Sequence, residues 1–406
     1  MDALINAAAR ALATGDPLGA LNRISLREDA PALALRGIAM AQLGDFGRAR
    51  SLLQRARQRF SRKATLARAR CQVAETEVAL AARDLGWPAD RLAQTAATLQ
   101  QHGDQANAAQ AHYLEARRQL LIGQIDAAET LLDTLDPGTF SPAIDTIHHL
   151  LKAGIALRRL QTAPARNALT LAQQSARQAA IPALDHEVAH AIEILEAPAA
   201  RRVSGDREHL MRLQDVEALL ASDALIVDGC RYLVRHHQQI VSLTSRPVLF
   251  TLVRALAEAW PADVSRHTLI QRAFRLRHTE ESHRSRLRVE MGRLRTLLRP
   301  LADIAATADG FVLSPRQQRI PVVMAPPVDE KHATVLALLV DGAAWSSSSL
   351  ALALGTSQRT VQRALDELAQ AGKVQGFGRG RARRWTTPSV PGFTTTLLLP
   401  APLPVN

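Results

Sequence analysis

The residues best suited to chemistry lie on a predicted helix from about Glu280 to Leu298, in the C-terminal half. Leu287, Met291, Leu294 and Leu298 recur at helical spacing, which predicts that they face a core. The opposite face carries Ser285, Val289, Gly292, Arg293 and Thr296, and Arg286 and Arg288 flank it. Guanidinium groups bind phosphates and guanine edges, and small residues allow close approach. We therefore expect this face to enter the major groove of DNA.

A second helix of similar design is predicted through Ala371, with Ser357 as its N-cap. Val361, Leu365 and Leu368 are spaced to face inward. The outward positions are Arg359, Thr360, Gln362, Arg363 and Asp366. Arginine and glutamine are side chains that read base edges in the major groove, so this helix is a second candidate for DNA contact.

Residues 374 to 385 predict a strand, a glycine-rich turn and a returning strand. The segment is strongly basic. Its arginines are Arg379, Arg381, Arg383 and Arg384. A basic hairpin beside a groove-reading helix is suited to contact phosphates or the minor groove, and we expect that role here.

A different chemistry is suggested by His186, Glu187 and His190, which match the HExxH pattern of zinc hydrolases. The apolar positions of that predicted helix are Leu184, Val188, Ile192 and Leu195. Both histidines fall nearly opposite this stripe, on the face that water should cover. No β-strands are predicted next to this helix, and no third zinc ligand is evident farther along the sequence. We therefore predict no catalytic residues, no metal and no cofactor, and keep a zinc hydrolase as a minor alternative.

The net charge of +12 is unevenly distributed along the 406 residues. Residues 1 to 200 carry 22 basic and 20 acidic side chains, whereas residues 201 to 320 carry 20 and 13. Residues 331 to 388 carry 8 basic and 3 acidic side chains. The positive excess therefore lies in the C-terminal half and indicates a polyanionic partner, for which nucleic acid is favoured over a membrane surface.

Composition excludes several other classes of protein. No run of 18 or more apolar residues is long enough to span a bilayer. The N-terminal segment has neither the basic nor the apolar region of a signal peptide. Cys71 and Cys230 are the only cysteines, which gives no disulfide framework or cysteine metal motif. We expect a cytoplasmic protein without a membrane partner.

Residues 1 to 198 are rich in Ala and Leu and predict successive helices of 12 to 16 residues. A glycine precedes an alanine by five positions at Gly15, Gly44, Gly103 and Gly123. Residues 32 to 60 and 111 to 135 resemble tetratricopeptide (TPR) repeats, although the spacing between repeats is irregular. The resemblance implies a helical-hairpin solenoid that binds a peptide or protein partner. A dimerisation or spacer role is the alternative.

Three short strands are predicted around Leu225, Tyr232 and Ile240, and a helix is predicted to open at Leu243-Thr244. A second helix is expected over Arg266–Phe274, with Ser265 as its N-cap. A hairpin over residues 304 to 313, with its turn at Asp309-Gly310, then follows the arginine-rich helix.

Residues 225 to 315 resemble the winged-helix effector domain of OmpR/PhoB-type response regulators, and we place that domain at 206 to 320. The resemblance rests on the three strands, the Val264-Ser265-Arg266 helix start, the 288-to-295 pattern RVEMGRLR and the closing hairpin. It implies that Val289 and Arg293 contact bases and that Arg286 and Arg288 contact phosphates. Phe274 and Gly292 depart from the family pattern, so its base preference does not transfer. No receiver domain precedes the module.

Residues 329 to 387 resemble a second bacterial winged helix-turn-helix domain, because Ala351, Gly355 and Val361 fit a close helix crossing, a turn and the space between helices. Residues 201 to 205 are interpreted as a linker. Residues 321 to 328 are interpreted as a Pro-rich linker, and residues 388 to 406 as a Pro-rich apolar tail.

Taken together, these features predict a mainly α protein with an N-terminal TPR-like solenoid followed by two winged-helix domains. The expected function is sequence-specific binding of double-stranded DNA for transcription regulation, without enzyme activity. A homodimer is compatible with this reading. A plasmid-type replication initiator and a TPR adaptor without DNA binding are alternatives in other classes.

Overall fold

The protein is described by a computed structural model over residues 2–82, 89–138, 140–205, 207–274, 281–327, 332–339, 345–354, 356–378, 380 and 383–387. It is mainly helical and contains a small mixed sheet. Two compact units are present. One is built on Met1–Leu195, and the other on Glu196–Gly376 together with Arg381–Thr387.

The first unit consists of helices joined by short connections. They are α1 (Ala3–Ala13), α2 (Pro17–Ile24), α3 (Ala30–Gln42), α4 (Phe46–Arg59), α5 (Thr65–Ala81), α6 (Ala89–Gln101), α7 (Gln105–Leu121), α8 (Ile125–Leu132), α9 (Pro142–Arg158), α10 (Thr162–Ala179) and α11 (Pro182–Glu196). From α1 to α10 each helix packs against the next, and the odd-numbered helices from α1 to α9 also contact the following odd-numbered helix. Their apolar side chains form the core between neighbouring helices.

The glycine spacing found in the sequence has a structural cause. Gly15, Gly44 and Gly103 adopt positive φ angles of 76°, 84° and 74° at helix ends, a conformation that glycine tolerates best. The aspartate that follows each glycine caps the next helix by accepting a backbone N–H bond. The alanines five residues after the glycines are fully or almost fully buried, as expected for close helix crossings. They are Ala20, Ala49, Ala108 and Ala128.

Buried polar side chains connect the odd-numbered helices. Gln110 of α7 donates to Glu77 of α5 at 3.2 Å. Tyr113 of α7 lies 3.2 Å from Nδ1 of His148 in α9, and both side chains are buried. Because buried polar groups are costly without partners, these contacts restrict how the helices can pack.

The second unit combines strands and helices. Its elements are β1 (Pro198–Ser204), β2 (Arg207–Arg212), α12 (Leu213–Ala221), β3 (Leu225–Asp228), β4 (Leu233–His236), β5 (Gln239–Ser242), α13 (Pro247–Ala259), β6 (Val264–Ser265), α14 (Arg266–Phe274), α15 (Glu281–Leu298), β7 (Ala302–Ala306), β8 (Gly310–Pro315), a 3-10 turn (Arg316–Gln318), β9 (Pro321–Ala325), α16 (Ala333–Leu339), α17 (Ser347–Leu354), α18 (Gln358–Gln370), β10 (Gln375–Phe377) and β11 (Arg384–Thr386).

The largest sheet has the strand order β2-β1-β9-β3-β4-β5, and only the β3–β9 pair is parallel. One face contributes Val203, Val227 and Val323 to the core that also contains α13, α14 and α15. The other face packs on α12 through a smaller apolar cluster that includes Met211 and Met324. Strands β6, β8 and β7 form a separate three-stranded sheet.

The predicted linkers are wrong at two places. Residues 201 to 205 belong largely to β1, and Pro321–Ala325 forms β9, which is completely buried in the middle of the sheet. The domain predicted over 206 to 320 therefore uses strands that lie outside both of its predicted limits. A strand covered on both faces is apolar at successive positions, and proline is tolerated as the first residue of a strand.

A third difference concerns the helix predicted to open at Leu243-Thr244. The helix α13 begins at Pro247, and the Leu243 N–H group instead donates to the carbonyl oxygen of Tyr232. Proline is well suited to the first helical position and disfavours helix in the residue before it. The helix predicted at Arg266–Phe274 is confirmed as α14, with the Ser265 hydroxyl accepting the Thr268 N–H bond at 3.1 Å.

Candidate nucleic-acid interface

The helix α15 separates an apolar face from a polar one, as its sequence predicts. The apolar residues Leu287, Met291, Leu294 and Leu298 are buried against α13, α14 and β7. Because all four lie on one side, packing fixes the rotation of the helix about its axis. The polar face is therefore held outward.

The outward face has low relief around Gly292. A Cβ atom added to Gly292 would meet nothing within 4 Å, and the Val289 side chain is 54% exposed. Thr296 turns its hydroxyl back to the Gly292 carbonyl oxygen at 3.1 Å. These small or apolar groups leave room for another molecule to approach the helix closely.

The arginines of this face have different local partners. The guanidinium of Arg286 lies over the Phe274 ring, 4.4 Å from its centroid. Arg293 donates to Glu290 at 2.9 Å while its side chain remains 65% exposed. Arg288 is also exposed. The predicted DNA-contacting residues of α15 thus lie together at the surface, with Arg293 partly neutralised by a carboxylate.

Sequence reasoning missed a residue that fixes the neighbouring β7–β8 hairpin. Arg295 donates from Nε to the Ile304 carbonyl oxygen at 2.8 Å and approaches the Phe311 ring at 5.5 Å. Arg266 binds the same hairpin through the carbonyl oxygens of Thr307 and Ala308, at 3.1 and 2.8 Å. Both arginines were visible in the sequence, but their carbonyl partners lie 9 to 42 residues away.

A recess of about 600 Å³ lies beside α15, next to the start of α13. Its lining includes Arg246, Pro247, Glu290, Arg293 and Thr296. Arg246 was not among the predicted site residues. The N-terminus of α13 offers backbone N–H groups that favour anions, so this recess adds a second type of anion-binding group next to α15.

The second predicted helix is α18, and its faces also separate. Ser357 caps it by accepting the Thr360 N–H bond at 3.1 Å. Val361, Leu365 and Leu368 are buried in a small core with α16 and α17. The outward positions Arg359, Thr360 and Arg363 are exposed, and Gln362 is half-buried.

The side-chain amide of Gln362 donates to Asp366 at 3.1 Å. This bond lies along the outward side of α18, between two residues that the sequence places there. Gly355, the predicted turn glycine before the helix, lies outside the described residues.

The predicted basic hairpin is described only in part. Strands β10 and β11 pair with each other, and Arg383 lies over the buried Trp385 ring at 4.2 Å from its centroid. Arg384 belongs to β11. Arg379 and Arg381 lie outside the described residues, so their predicted phosphate contacts stay predictions.

The HExxH residues do not converge on one point. Glu187 is 1% exposed and accepts a bond from Arg117 at 2.8 Å within the helical unit. His186 is exposed, and His190 lies 3.6 Å from Glu193. Glu187 is therefore part of a buried ion pair and does not face solvent with the two histidines.

Among the described residues, the metal-ligating side chains that come closest as a group of three are Asp223, His236 and His237, with ligand atoms within 4.8 Å of one another. Asp223 Oδ1 is already bonded to His236 Nε2 at 2.6 Å and lies 3.7 Å from Nε of Arg319. Asp223 is therefore already in contact with a histidine and an arginine at one end of β4.

No helix within the described ranges is both long and apolar enough to cross a lipid bilayer. Comparisons of the chain with protein-family models, with curated proteins and with solved structures found no match.

Proposed function

We propose that this protein is a sequence-specific regulator of transcription that binds double-stranded DNA. The observation that carries the proposal is the orientation of α15, whose four apolar residues are buried while Arg286, Arg288, Val289 and Arg293 stay at the surface. An outward helix with guanidinium groups and a low-relief centre matches the chemistry of the major groove.

In this proposal the segment from β3 to β8 is a winged helix of the OmpR/PhoB type. The helix α15 enters the major groove, and the β7–β8 hairpin is the wing. Arg293 and Val289 contact bases, whereas Arg286 and Arg288 contact phosphates. The recess beside the start of α13 adds Arg246 to the groups available to the DNA backbone.

The segment from α16 to β11 is proposed as a second winged helix, with α18 as its groove-reading helix. Arg383, lying over Trp385, contacts the DNA backbone from the hairpin. Two joined DNA-binding domains raise the effective concentration for the second contact and lengthen the recognised DNA site. The first unit is proposed as a TPR-like platform that binds a protein or peptide, and the protein is proposed to act in the cytoplasm.

The test is selection of duplexes from a random pool by the full-length protein, followed by anisotropy titration of the selected and a scrambled duplex at several salt concentrations. We expect the selected duplex to bind at least about a thousandfold more tightly. Arg383→Ala should weaken both duplexes equally and reduce the salt dependence. Equal affinity of the unchanged protein for both duplexes would refute sequence-specific binding.

The same selection separates this proposal from the other functions. Binding only to iterated origin repeats would favour a replication initiator. Absence of any duplex binding at low ionic strength, with intact folding by circular dichroism, would favour an adaptor built on the helical unit.

A further inference from the structure

Strand β2 forms one edge of the six-stranded sheet. It pairs with β1 on one side, and no strand in the described part of the chain pairs with its other side. Five of its six residues are exposed, including Leu210 at 65%. An extended edge strand with an exposed apolar side chain is a template for pairing with another strand.

The charges on β2 are arranged symmetrically about Leu210. Glu208 precedes it by two residues and Arg212 follows it by two, so all three side chains lie on the same face of the strand. If β2 pairs antiparallel with an identical strand about Leu210, the two leucines face each other. Each Glu208 then lies opposite Arg212 of the other copy, which makes two favourable cross-strand charge pairs.

Other registers lose this complementarity. A register centred between His209 and Leu210 would place Arg207 opposite Arg212, which sets like charges against each other. A shift by one residue would also turn the second copy over, because adjacent strand residues point to opposite faces, and the buried Met211 residues of the two copies would then lie on opposite faces of the joined sheet. The charge pattern therefore favours one register of self-pairing.

Both charged residues are accessible for this contact. Glu208 accepts from Arg201 at 2.9 Å and Arg212 donates to Glu196 at 2.9 Å, yet the side chains of Glu208 and Arg212 remain 50% and 57% exposed. The neighbouring ion pairs hold the two side chains beside the strand edge. A second copy would extend these pairs into a longer network.

We propose that β2 is a dimer interface, at which two copies of this chain join their six-stranded sheets by antiparallel β2–β2 pairing centred on Leu210. The opposite sheet edge, β5, also exposes an apolar residue, Ile240 at 53%, but Gln239–Ser242 carries no charged side chain. Self-pairing at β5 thus has no comparable charge complementarity. The proposed interface does not depend on DNA binding, so dimerisation is measured without DNA.

The experiment is sedimentation equilibrium of the full-length protein and of two single variants, Glu208→Arg and Arg212→Glu. Each variant alone places like charges opposite each other at both ends of the interface, so we expect its dimer to be weaker by about tenfold or more. Mixing the two variants restores opposite charges at both positions. We therefore expect a heterodimer about as stable as the unchanged dimer, with Ile240→Lys as the control that leaves dimerisation unaffected.

Several outcomes would overturn the proposal. The proposal would be refuted if the unchanged protein stayed monomeric across the micromolar range. It would also be refuted if the mixed variants formed no heterodimer although each is folded by circular dichroism. Loss of the dimer in Ile240→Lys, with both β2 variants unaffected, would assign the contact to β5 instead.

Discussion

The guanidinium of Arg286 is stacked on the Phe274 ring, with Cζ 4.4 Å from the ring centroid. Phe274 is the last residue of α14, and Arg286 lies on the outward face of α15. The ring therefore orients a cation that projects from a different helix. Its effect on DNA binding would be to position Arg286 before a duplex arrives.

Replacing Phe274 with leucine should keep most of the apolar volume and remove the ring face. Because an exposed cation–π contact contributes about 0.5–1 kcal/mol, we expect affinity for every duplex to fall by about twofold to fivefold. Anisotropy titrations of Phe274→Leu, Arg286→Ala and the double variant form a mutant cycle. Independent effects of the two changes would contradict the positioning role of the ring.

The Arg293 guanidinium is paired with the Glu290 carboxylate, so substitutions at these two positions should have opposite effects on DNA affinity. Arg293→Ala should cost about 1–3 kcal/mol on the selected duplex and relax base preference at one or two positions. Glu290→Gln removes the competing carboxylate and should tighten binding by about twofold to fivefold.

The matched control for Glu290→Gln is Glu281→Gln, which removes one negative charge from the same helix near Arg284. Titration against the same duplex compares the two variants. Equal tightening by both would mean that net charge, and not the Arg293 contact, controls affinity.

Substitutions at Gly292 and Gly310 should have contrasting effects on stability and DNA affinity. Gly292→Leu adds a side chain into open space and should raise the free energy of unfolding by up to about 1 kcal/mol, because leucine favours helix. The same change should weaken duplex binding by about tenfold or more, since it obstructs close approach. Gly310→Ala would overlap the Val264 carbonyl oxygen and should destabilise the hairpin. Urea unfolding and anisotropy separate the two effects, and unchanged DNA affinity in Gly292→Leu would exclude α15 from the groove.

The buried ion pair between Arg117 and Glu187 predicts a stability effect from the HExxH motif. Glu187→Ala leaves the arginine buried without this carboxylate and should cost about 3–5 kcal/mol in urea unfolding. His186→Ala, at an exposed position, should change stability by less than about 0.5 kcal/mol. Stoichiometric zinc that is lost in His186→Ala would instead support the hydrolase alternative.

Buried His148 predicts a pH dependence of stability. Burial lowers the pKa of His148 to about 4, whereas the pKa of an unfolded histidine is about 6.5. The unfolded chain therefore takes up the proton first, and the free energy of unfolding falls as pH decreases from about 6.5 towards 4. His148→Gln should make this decrease shallower in urea unfolding at a series of pH values. The exposed His102→Gln is the control, and the same slope in both variants would assign the effect to other groups.

The polar face of α15 could be predicted because helix periodicity is a local property of the chain. Four apolar residues within 12 positions determine which side is buried, and the remaining side chains must face outward. The Gly–Asp helix ends of the first unit are equally local. A positive φ and an N-cap each depend on one residue and its immediate neighbours.

The remaining features depend on distant parts of the chain. Glu187 pairs with an arginine 70 residues earlier, and this cannot be inferred from a solvent-facing helix pattern. Strand β9 was mistaken for a linker because prolines flank it, and its partner β3 lies nearly a hundred residues before it. Strands β1 and β2 do not alternate regularly between apolar and polar residues, so alternation did not reveal them.

The central position of β9 has a consequence for how this chain can be divided. In the strand order β9 alone joins the β1–β2 hairpin to β3, so the two parts of the sheet are paired through a single five-residue strand. A fragment ending at residue 320 would separate the sheet into two pieces and leave new unpaired strand edges on β1 and β3. Any fragment that keeps the six-stranded sheet intact must therefore extend at least to Ala325.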